Sequence, residues 1–277
     1  MKAVKVQGET AMKWEELEAI TDEAQHISGI YEIFDEEKRL QSPAAQVEFL
    51  TTVHYVERYL QPGARILDVG AGTGAYSFYF AEKGYHVDAL ELADKNVRVF
   101  QEKMQDRNEL DLTLRQGNAV DLSAYDSDSY DVVLLFGPLY HLHSQDDRFH
   151  CMEEAKRVCK PDGVIFFAFI NNDMVVLTEL DYDEHWLSGD TYDHESFKVV
   201  DFPFVFHTVD QCRQMLEEAG IQTIHEVASD GVSELMADRI NALSEAEYQQ
   251  YLRYHFYVCE KPEMLGHSNH LLFVGRK

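Results

Sequence analysis

An acidic residue, a run of glycines and a second acidic residue form the pattern in this sequence that is best suited to chemistry. Asp68 is followed by glycines at positions 70, 72 and 74, and Glu91 comes 21 residues after the first glycine. Glycines permit a tight turn and let a ligand approach the backbone, because they lack a Cβ atom. A carboxylate that closes the next strand can accept hydrogen bonds from both ribose hydroxyls of an adenosine. The pattern therefore predicts a site for an adenosine-containing ligand.

The glycine run by itself is compatible with two kinds of ligand. Gly70-x-Gly72-x-x-Ala75 also satisfies the dinucleotide fingerprint, in which alanine can replace the third glycine. Asp68 argues against a dinucleotide, because its charge would repel a diphosphate but can hold the ammonium group of a methionine moiety. Gly74 leaves room in the loop for that amino-acid end. An NAD(P)-dependent oxidoreductase and a non-catalytic, cofactor-binding regulatory protein remain open as alternatives.

The glycine run lies within a regular alternation of short apolar runs and helical patterns that begins at Ala64. Such an alternation is typical of repeated βαβ units and a parallel sheet. Helices are predicted near residues 76–83, 93–105, 146–158 and 209–219. Seven apolar runs are predicted as strands, at residues 66–69, 87–90, 112–114, 132–136, 164–169, 224–227 and 271–274.

Helices are predicted before this alternation, and two stretches interrupt it. Residues 1–60 show the apolar spacing of helices, and a helix is expected to begin at Ser42-Pro43, because serine can cap and proline fits the first turn. The predicted division is a helical cap over residues 1–60 and one domain over residues 61–277. Insertions at about 171–207 and 229–269 follow strands, where connections can form a lid or a substrate wall.

The charge of the chain disfavours nucleic-acid substrates. The 277 residues include 24 Lys and Arg against 50 Asp and Glu, for a formal net charge of −26. The field of such a surface repels a polyanion, and no cluster of basic residues interrupts it. We therefore expect no nucleic-acid partner and a small-molecule substrate that is neutral or an amine. No sequence feature indicates an oligomeric state.

The apolar and cysteine patterns bear on the compartment. No stretch reaches the roughly 20 apolar residues that a membrane span requires, and the N-terminus lacks the apolar core of a signal peptide. The four cysteines are scattered, without a CxxC pair or a disulfide spacing, and are predicted to be buried thiols in a reducing compartment. These features predict a cytoplasmic protein without a membrane partner.

Five segments in order resemble motifs of the class I S-adenosylmethionine-dependent methyltransferases, specifically their small-molecule, methyltransferase type 11-like branch. The segments are Asp68 to Gly74, Glu91, Gly117 to Leu122, Tyr130 to Phe136 and Lys160 to Gly163. The family usually has aspartate where this chain has Asn118, whose carbonyl oxygen can still pair with the adenine amino group. The resemblance implies S-adenosylmethionine as the cofactor, with these binding residues: Asp68, Gly70, Ala71, Gly72, Gly74, Glu91, Leu92, Asn118, Ala119 and Phe136.

The same resemblance implies a fold and a reaction. The fold is expected to be α/β, with a seven-stranded, Rossmann-like, mostly parallel sheet in the order 3-2-1-4-5-7-6 and an antiparallel strand seven. A helical cap precedes the sheet, an inserted lid follows strand five, and the Lys160 to Gly163 segment is expected to be the turn before strand five. The implied activity is that of an enzyme that transfers a methyl group to an oxygen, nitrogen or carbon atom of a small molecule.

The loop after the fourth strand is where the resemblance places the transferable methyl group. His141 is the candidate catalytic base, because imidazole titrates near neutrality. The alternative is that this histidine only forms hydrogen bonds within the loop. Enzymes that methylate amino groups of DNA bases have Asp, Asn or Ser before a Pro-Pro-aromatic segment here, whereas this chain has Gly137 and a single proline. The difference agrees with the charge argument against nucleic acid.

Three aromatic residues are candidate substrate contacts. Tyr140 belongs to the loop after strand four, Tyr31 follows the N-terminal amphipathic pattern, and Trp186 lies in an acidic, aromatic stretch of the first insertion. Aromatic and acidic groups suit an amine or another cation, although such a charged run is commonly a solvated face. No metal site is predicted, because His141 and His143 lack matched outer ligands.

Overall fold

The computed structural model of the protein describes residues 12–277. The first residues of the predicted cap lie outside the described residues, and so does the N-terminal stretch that was predicted to lack a signal-peptide core. Among the described residues, four helices precede the sheet: α1 (Trp14–Glu18), α2 (Glu23–Ile33), α3 (Glu36–Arg39) and α4 (Pro43–Glu57).

Local hydrogen bonds determine where two of these helices begin. The carboxylate of Asp22 accepts a hydrogen bond from the backbone N–H of Gln25 at 2.9 Å, so α2 starts as a separate helix although the apolar spacing continues from α1. Ser42 caps α4 by accepting from the N–H of Ala45 at 3.2 Å, and Pro43 occupies the first turn. The predicted start of that helix is confirmed.

Within residues 12–277, eight strands form one mostly parallel sheet. They are β1 (Arg65–Val69), β2 (His86–Glu91), β3 (Leu112–Gln116), β4 (Tyr130–Leu135), β5 (Cys159–Asn171), β6 (Phe206–His207), β7 (Gln222–Ala228) and β8 (His270–Arg276). Their order is β3-β2-β1-β4-β5-β8-β7, with β6 paired to β5 and β8 antiparallel to β7. Without the two-residue β6 this is the predicted order 3-2-1-4-5-7-6, and the seven predicted strands are confirmed.

The helices that follow α4 include all four that the apolar spacing predicts. They are α5 (Ala75–Glu82), α6 (Asp94–Gln105), α7 (Pro138–His141), α8 (Gln145–Val158), α9 (Asn172–Tyr182), α10 (Val209–Glu218), α11 (Ala237–Asn241), α12 (Glu245–Val258) and α13 (Pro262–Leu265). The prediction of a turn over Lys160 to Gly163 was wrong. The backbone becomes extended at Cys159, directly after α8, so this segment already belongs to β5.

The described residues divide into two compact units. The first unit comprises the residues up to Lys38 together with Tyr59–Ile165, and the second comprises Arg39–Arg58 together with Phe166–Lys277. Strands β1 to β4 belong to the first unit, and β6 to β8 belong to the second. The division into a cap and a domain at residue 60, and the lid role of the two insertions, remain predictions.

Strands β1 and β4 form the buried centre of the first unit. Ile66 of β1 and residues 132–135 of β4 are fully buried, as expected for strands that are covered on both faces. Val69 pairs in parallel register with Leu135 of β4 and with Leu90 of β2, so the three strands end at one edge of the sheet. The loops that follow these strand ends therefore lie side by side.

Two predictions about the chain as a whole can be compared with the described residues. The four cysteines are free and buried, as predicted. Burial raises the pKa of the Cys151 thiol well above its usual range, so this thiol stays protonated and unreactive. No helix within residues 12–277 is both long and apolar enough to cross a membrane.

A partly buried ion pair lies at the start of β8 in the second unit. Asp230 accepts a hydrogen bond from the imidazole Nδ1 of His270 at 2.8 Å and another from the hydroxyl of Ser268 at 2.5 Å. Burial alone would lower the pKa of His270, but Glu48 and Asp230 raise it to about 9, so the imidazole is charged at neutral pH. Burial would raise the pKa of Asp230, but its contacts with His270 and Ser268 hold it below its usual value.

The free energy of unfolding should depend on His270 only while its imidazole is charged. We expect His270→Gln to lower it by about 2 kcal/mol at pH 6. The loss should shrink as the pH rises through about 9, the pKa of His270 in the folded protein. The pKa is higher in the folded than in the unfolded state, so the charged imidazole stabilises the fold fully below the unfolded-state pKa. This stabilisation disappears as the pH rises above the folded-state pKa. Urea titrations at pH 6 and pH 10 measure both values.

His267→Gln is the matched control for this prediction. His267 is exposed and lies three residues before His270, so the control variant should unfold like the parent protein at both pH values. An equal loss for His270→Gln at pH 6 and pH 10 would contradict the ionic role of the pair and leave His270 with a packing role.

Candidate active site

The glycine loop between β1 and α5 bends back against the end of β2. The backbone N–H groups of Gly70 and Ala71 donate to the carbonyl oxygen of Leu90 at 2.8 and 3.0 Å. Gly70 has a φ of +80°, and a Cβ atom there would lie 2.7 Å from the carbonyl oxygen of Phe136. Only glycine fits at position 70 without displacement of the loop that follows β4.

Glu91 is the last residue of β2, and its buried carboxylate ties the glycine loop to that strand. One oxygen accepts from the N–H of Gly72 at 2.8 Å, while the other accepts from the N–H of Ala93 at 2.8 Å and from the amide of Asn96 at 3.3 Å. A carboxylate offers about four acceptor positions, so about one remains for a ligand. Burial raises the pKa of Glu91, while these hydrogen bonds act in the opposite direction.

Asp68 lies in β1 just before the loop, and its side chain has no exposed surface. Its Oδ2 accepts a hydrogen bond from the hydroxyl of Ser77 at 2.6 Å, whereas its Oδ1 has no hydrogen-bond partner among residues 12–277. Burial raises the pKa of Asp68 to about 7, and the charge of Glu91 adds to the increase. A buried carboxylate with an unused oxygen is suited to a cationic group of a ligand.

A pocket opens in the first unit at the edge where β1, β2 and β4 end. It comprises about 430 Å³ of empty space, a volume that includes its open mouth. The loop after β1, the end of β2 and the loops after β3 and β4 form its floor and sides, and α2 contributes Ile27 and Tyr31. The pocket is thus built from chain segments that lie far apart in the sequence.

Several residues predicted to bind the cofactor form part of this pocket wall: Gly70, Glu91, Leu92, Asn118 and Ala119. The other predicted cofactor residues are not wall residues: Asp68, Ala71, Gly72, Gly74 and Phe136. Among these, Gly74 donates its N–H to the carbonyl oxygen of Ala71 at 2.9 Å within the loop. The ring of Phe136 packs on Tyr76 with centroids 4.9 Å apart. The binding roles of both groups remain predictions.

Asn118 has a structural task in addition to its place in the wall. Its side-chain carbonyl oxygen accepts a hydrogen bond from the N–H of Val120 at 3.2 Å, which stabilises the turn after β3. The oxygen that was expected to meet an adenine amino group is therefore already partly used. Because a carbonyl oxygen has two acceptor positions, one is still available.

His141 and Tyr31 form a hydrogen-bonded pair in the pocket wall. The Tyr31 hydroxyl lies 2.8 Å from Nε2 of His141, and the ring centroids are 5.5 Å apart. Burial lowers the pKa of His141 to about 3, and the charges of His143 and His26 add to the decrease. The imidazole is therefore neutral at physiological pH and is a much weaker base than an exposed histidine. Its catalytic role remains a prediction.

The other two predicted substrate contacts are not wall residues. Tyr140 precedes His141 on α7, and the two ring centroids are 5.1 Å apart. Trp186 belongs to the second unit, where its ring stacks on Tyr192 with centroids 4.9 Å apart. The substrate roles of Tyr140 and Trp186 remain predictions. Within residues 12–277, no group of three or more His, Cys, Asp or Glu residues could hold a metal ion.

The wall also contains residues that the sequence patterns did not identify as site residues: Ile27, Leu90, Gly117, Gly137, Pro138 and Leu142. Gly117, Gly137 and Pro138 lie beside predicted site residues, so their position next to strand ends was the available signal. Ile27 was assigned only to the apolar stripe of a helix. Apolar periodicity cannot distinguish a residue that faces a pocket from one that faces the core.

The part of the chain that forms most of the pocket is similar to known proteins. Residues 67–167 match the methyltransferase domain family. The ubiquinone biosynthesis O-methyltransferase of Actinobacillus pleuropneumoniae is 29% identical over 143 residues, which are 49% of this chain and 59% of that protein. The chain spans about half the length of the curated relatives it matches.

Solved structures share the fold over a larger part of the chain. The PH0226 protein from Pyrococcus horikoshii has a TM-score of 0.58 at 17% identity and covers 89% of this chain and 97% of its own. A SAM-dependent methyltransferase from Methanosarcina mazei has a TM-score of 0.52 at 16% identity, with coverages of 80% and 96%. Residues 67–167 are thus similar to the methyltransferase domain family, and the strand order and the glycine loop are those that the resemblance to class I S-adenosylmethionine-dependent methyltransferases implied.

Proposed function

We propose that the protein transfers a methyl group from S-adenosylmethionine to an oxygen, nitrogen or carbon atom of a small molecule. The observation that carries the proposal is the buried Glu91 carboxylate beside the glycine loop, in a pocket within the segment that matches the methyltransferase domain family. The relative from Actinobacillus pleuropneumoniae is named an O-methyltransferase, which supports a hydroxyl group as one of the possible acceptors. The net charge of −26 favours a neutral or amine acceptor over nucleic acid.

The residues in and beside the pocket fit the groups of the cofactor. The remaining acceptor position of Glu91 suits a ribose hydroxyl, and the apolar side chains of Leu90 and Leu92 suit the adenine ring. The unused Oδ1 of Asp68 suits the ammonium group of the methionine moiety. When bound, S-adenosylmethionine supplies a methyl group that is activated by a positively charged sulfur.

Tyr31 and His141 are the wall residues that we assign to the acceptor. The neutral imidazole holds the Tyr31 hydroxyl at 2.8 Å, so the pair presents a fixed polar group at the pocket. A fixed hydrogen-bonding group can orient the attacking atom of an acceptor for in-line displacement. Because the pKa of His141 is about 3, we assign it to holding Tyr31 in place more than to removing a proton.

The assay that tests the proposed reaction is an untargeted screen with an isotopically labelled methyl donor. Purified protein is incubated with a cell metabolite extract, and labelled products are identified by mass spectrometry. The proposal expects label in one metabolite or a small group of related metabolites. Label in none, together with tight binding of the donor, would favour a non-catalytic cofactor-binding protein.

S-adenosylmethionine and S-adenosylhomocysteine should both bind far more tightly than NAD, and Glu91→Ala should weaken both. The variant loses the hydrogen bond to ribose and the support of the loop, so we expect about a 10- to 100-fold loss in affinity by calorimetry. Glu102→Ala, an exposed position on α6, is the control and should bind like the parent. Tighter binding of NAD, or parental affinity in Glu91→Ala, would contradict the assignment of this pocket.

Binding of S-adenosylmethionine should be coupled to ionisation of Asp68. The pKa of Asp68 is about 7, so the carboxyl group is largely protonated at pH 6 and largely charged at pH 8, when it can pair with an ammonium group. The parent protein should bind S-adenosylmethionine more tightly than Asp68→Asn, and the ratio of the two affinities should grow by about five- to tenfold between these pH values. Calorimetry at both pH values measures this ratio. An equal ratio at pH 6 and pH 8 would show that ionisation of Asp68 is not coupled to cofactor binding.

Loss of the Tyr31–His141 hydrogen bond should lower turnover and spare cofactor affinity. We expect Tyr31→Phe and His141→Ala each to reduce kcat by about tenfold or more, and the double variant to lose little beyond either one, because both changes remove one interaction. His143→Ala is the control. The pH dependence of kcat in the parent protein and in His141→Ala separates this role from that of a base. If the parent shows a basic group with a pKa near 6.5 and His141→Ala lacks it, His141 acts as a conventional base instead.

A further inference from the structure

The end of helix α2 is held by a lysine of α6. The ammonium group of Lys95 donates to the carbonyl oxygen of Tyr31 at 2.5 Å and to that of Phe34 at 3.2 Å. Carbonyl groups in the last turn of a helix need donors from outside the helix, and the helix dipole also favours a cation there. Lys95 therefore fixes the backbone of α2 at Tyr31, whose side chain is part of the pocket wall.

The position of Lys95 is favourable for α2 and unfavourable for its own helix. Lys95 is the second residue of α6, which begins at Asp94. A positive charge in the first turn destabilises a helix, because the N-terminus carries the positive end of the helix dipole. The same charge stabilises the C-terminal end of α2. The contacts with α2 therefore explain this lysine, whereas helix formation in α6 does not.

The first turn of α6 is also bound to the carboxylate at the end of β2. Glu91 accepts hydrogen bonds from the N–H of Ala93 at 2.8 Å and from the side-chain amide of Asn96 at 3.3 Å. Lys95 lies between these two donors in the sequence, four residues after Glu91. One short segment thus holds both the carboxylate that we assign to the cofactor and the end of the helix that carries Tyr31.

Tyr31 is held both at its backbone and at its side chain. Lys95 binds its carbonyl oxygen, and Nε2 of His141 lies 2.8 Å from its hydroxyl group. These two partners belong to the segments that follow β2 and β4. A misplacement of about 1 Å in a group that orients a reactant can lower a rate by about 100-fold. A contact that sets the backbone of Tyr31 can therefore affect a reaction without touching a ligand.

We propose that Lys95 is a positioning residue for methyl transfer, which sets the Tyr31 hydroxyl group relative to the cofactor carboxylate of Glu91. Lys95 is not among the residues of the pocket wall, so it acts through the backbone of Tyr31. This inference rests on the proposed function, because that function assigns Tyr31 to the acceptor and Glu91 to the cofactor.

The rate of methyl transfer in a cell metabolite extract tests this role before the acceptor is identified. Labelled S-adenosylmethionine is supplied at a saturating concentration, and the label transferred is measured at several dilutions of the extract. Calorimetry with S-adenosylhomocysteine counts the binding sites, so the rate is expressed per folded protein. Lys95→Met should lower the maximal rate by about tenfold and change the affinity for S-adenosylhomocysteine by less than about twofold. Lys95→Arg, which keeps the charge and the donors, should recover most of the rate.

A double variant distinguishes positioning of Tyr31 from a general structural role. Because Lys95 acts through Tyr31, adding Lys95→Met to Tyr31→Phe should lower the rate by less than about a further twofold. A structural role would lower the rate of Tyr31→Phe by the same factor as that of the parent. Losses that multiply in this way would overturn the inference.

Arg98→Met is the matched control, because Arg98 also joins α6 to α2 but does so at the surface, through an ion pair with Glu32 at 3.9 Å. This control should transfer label at the parental rate. A parental rate in Lys95→Met would overturn the role of Lys95. If Lys95→Met does not fold, Lys95→Gln replaces it, with the same expected results. If the parent protein labels no metabolite, the proposed function itself fails, so the two failures are distinguishable.

Discussion

The hydrogen bonds that join the glycine loop to the end of β2 are the constraint on which the pocket depends. Glu91 accepts from the N–H of Gly72, and the carbonyl oxygen of Leu90 accepts from the first residues of the loop. Without the carboxylate, backbone N–H groups in a buried turn would lose their partner, which folded chains rarely tolerate. The loop in turn approaches the carbonyl oxygen of Phe136 so closely that the segment after β4 is positioned as well. One side chain therefore supports both the shape of the pocket and its ligand chemistry.

The pKa values of acidic groups are shifted in opposite directions in the two units. In the second unit, Asp230 and His270 satisfy each other, so the carboxylate keeps a low pKa and the imidazole a raised one. In the first unit, Asp68 and Glu91 are buried near each other, and both have raised pKa values. A compensated pair stabilises the fold on its own, whereas buried carboxylates with raised pKa values beside a pocket are typical of a functional site. The contrast supports the first unit as the place where a cation binds.

The environment of His141 changes the role that its residue type suggests. A histidine beside a proposed methyl donor is a natural candidate for a catalytic base, yet burial leaves His141 neutral and weakly basic. Its Nε2 is instead within hydrogen-bond distance of a phenol from an N-terminal helix. Helix α2 thereby becomes part of the pocket wall, so the segment before the sheet belongs to the site as much as the strand ends do.

Local patterns in the sequence determined most of the fold, because apolar periodicity, caps and turn glycines act within a few residues of one another. They placed seven strands, the start of α4 and the loop with Glu91. They missed β6, whose two residues are too few to show a period, and the family resemblance implied a turn where β5 already runs. Only the tertiary structure decided that Tyr31 meets His141, 110 residues away, and that Glu36 rests on Gly72. Such contacts depend on how helices pack against the sheet, and packing between distant segments leaves no period in either one.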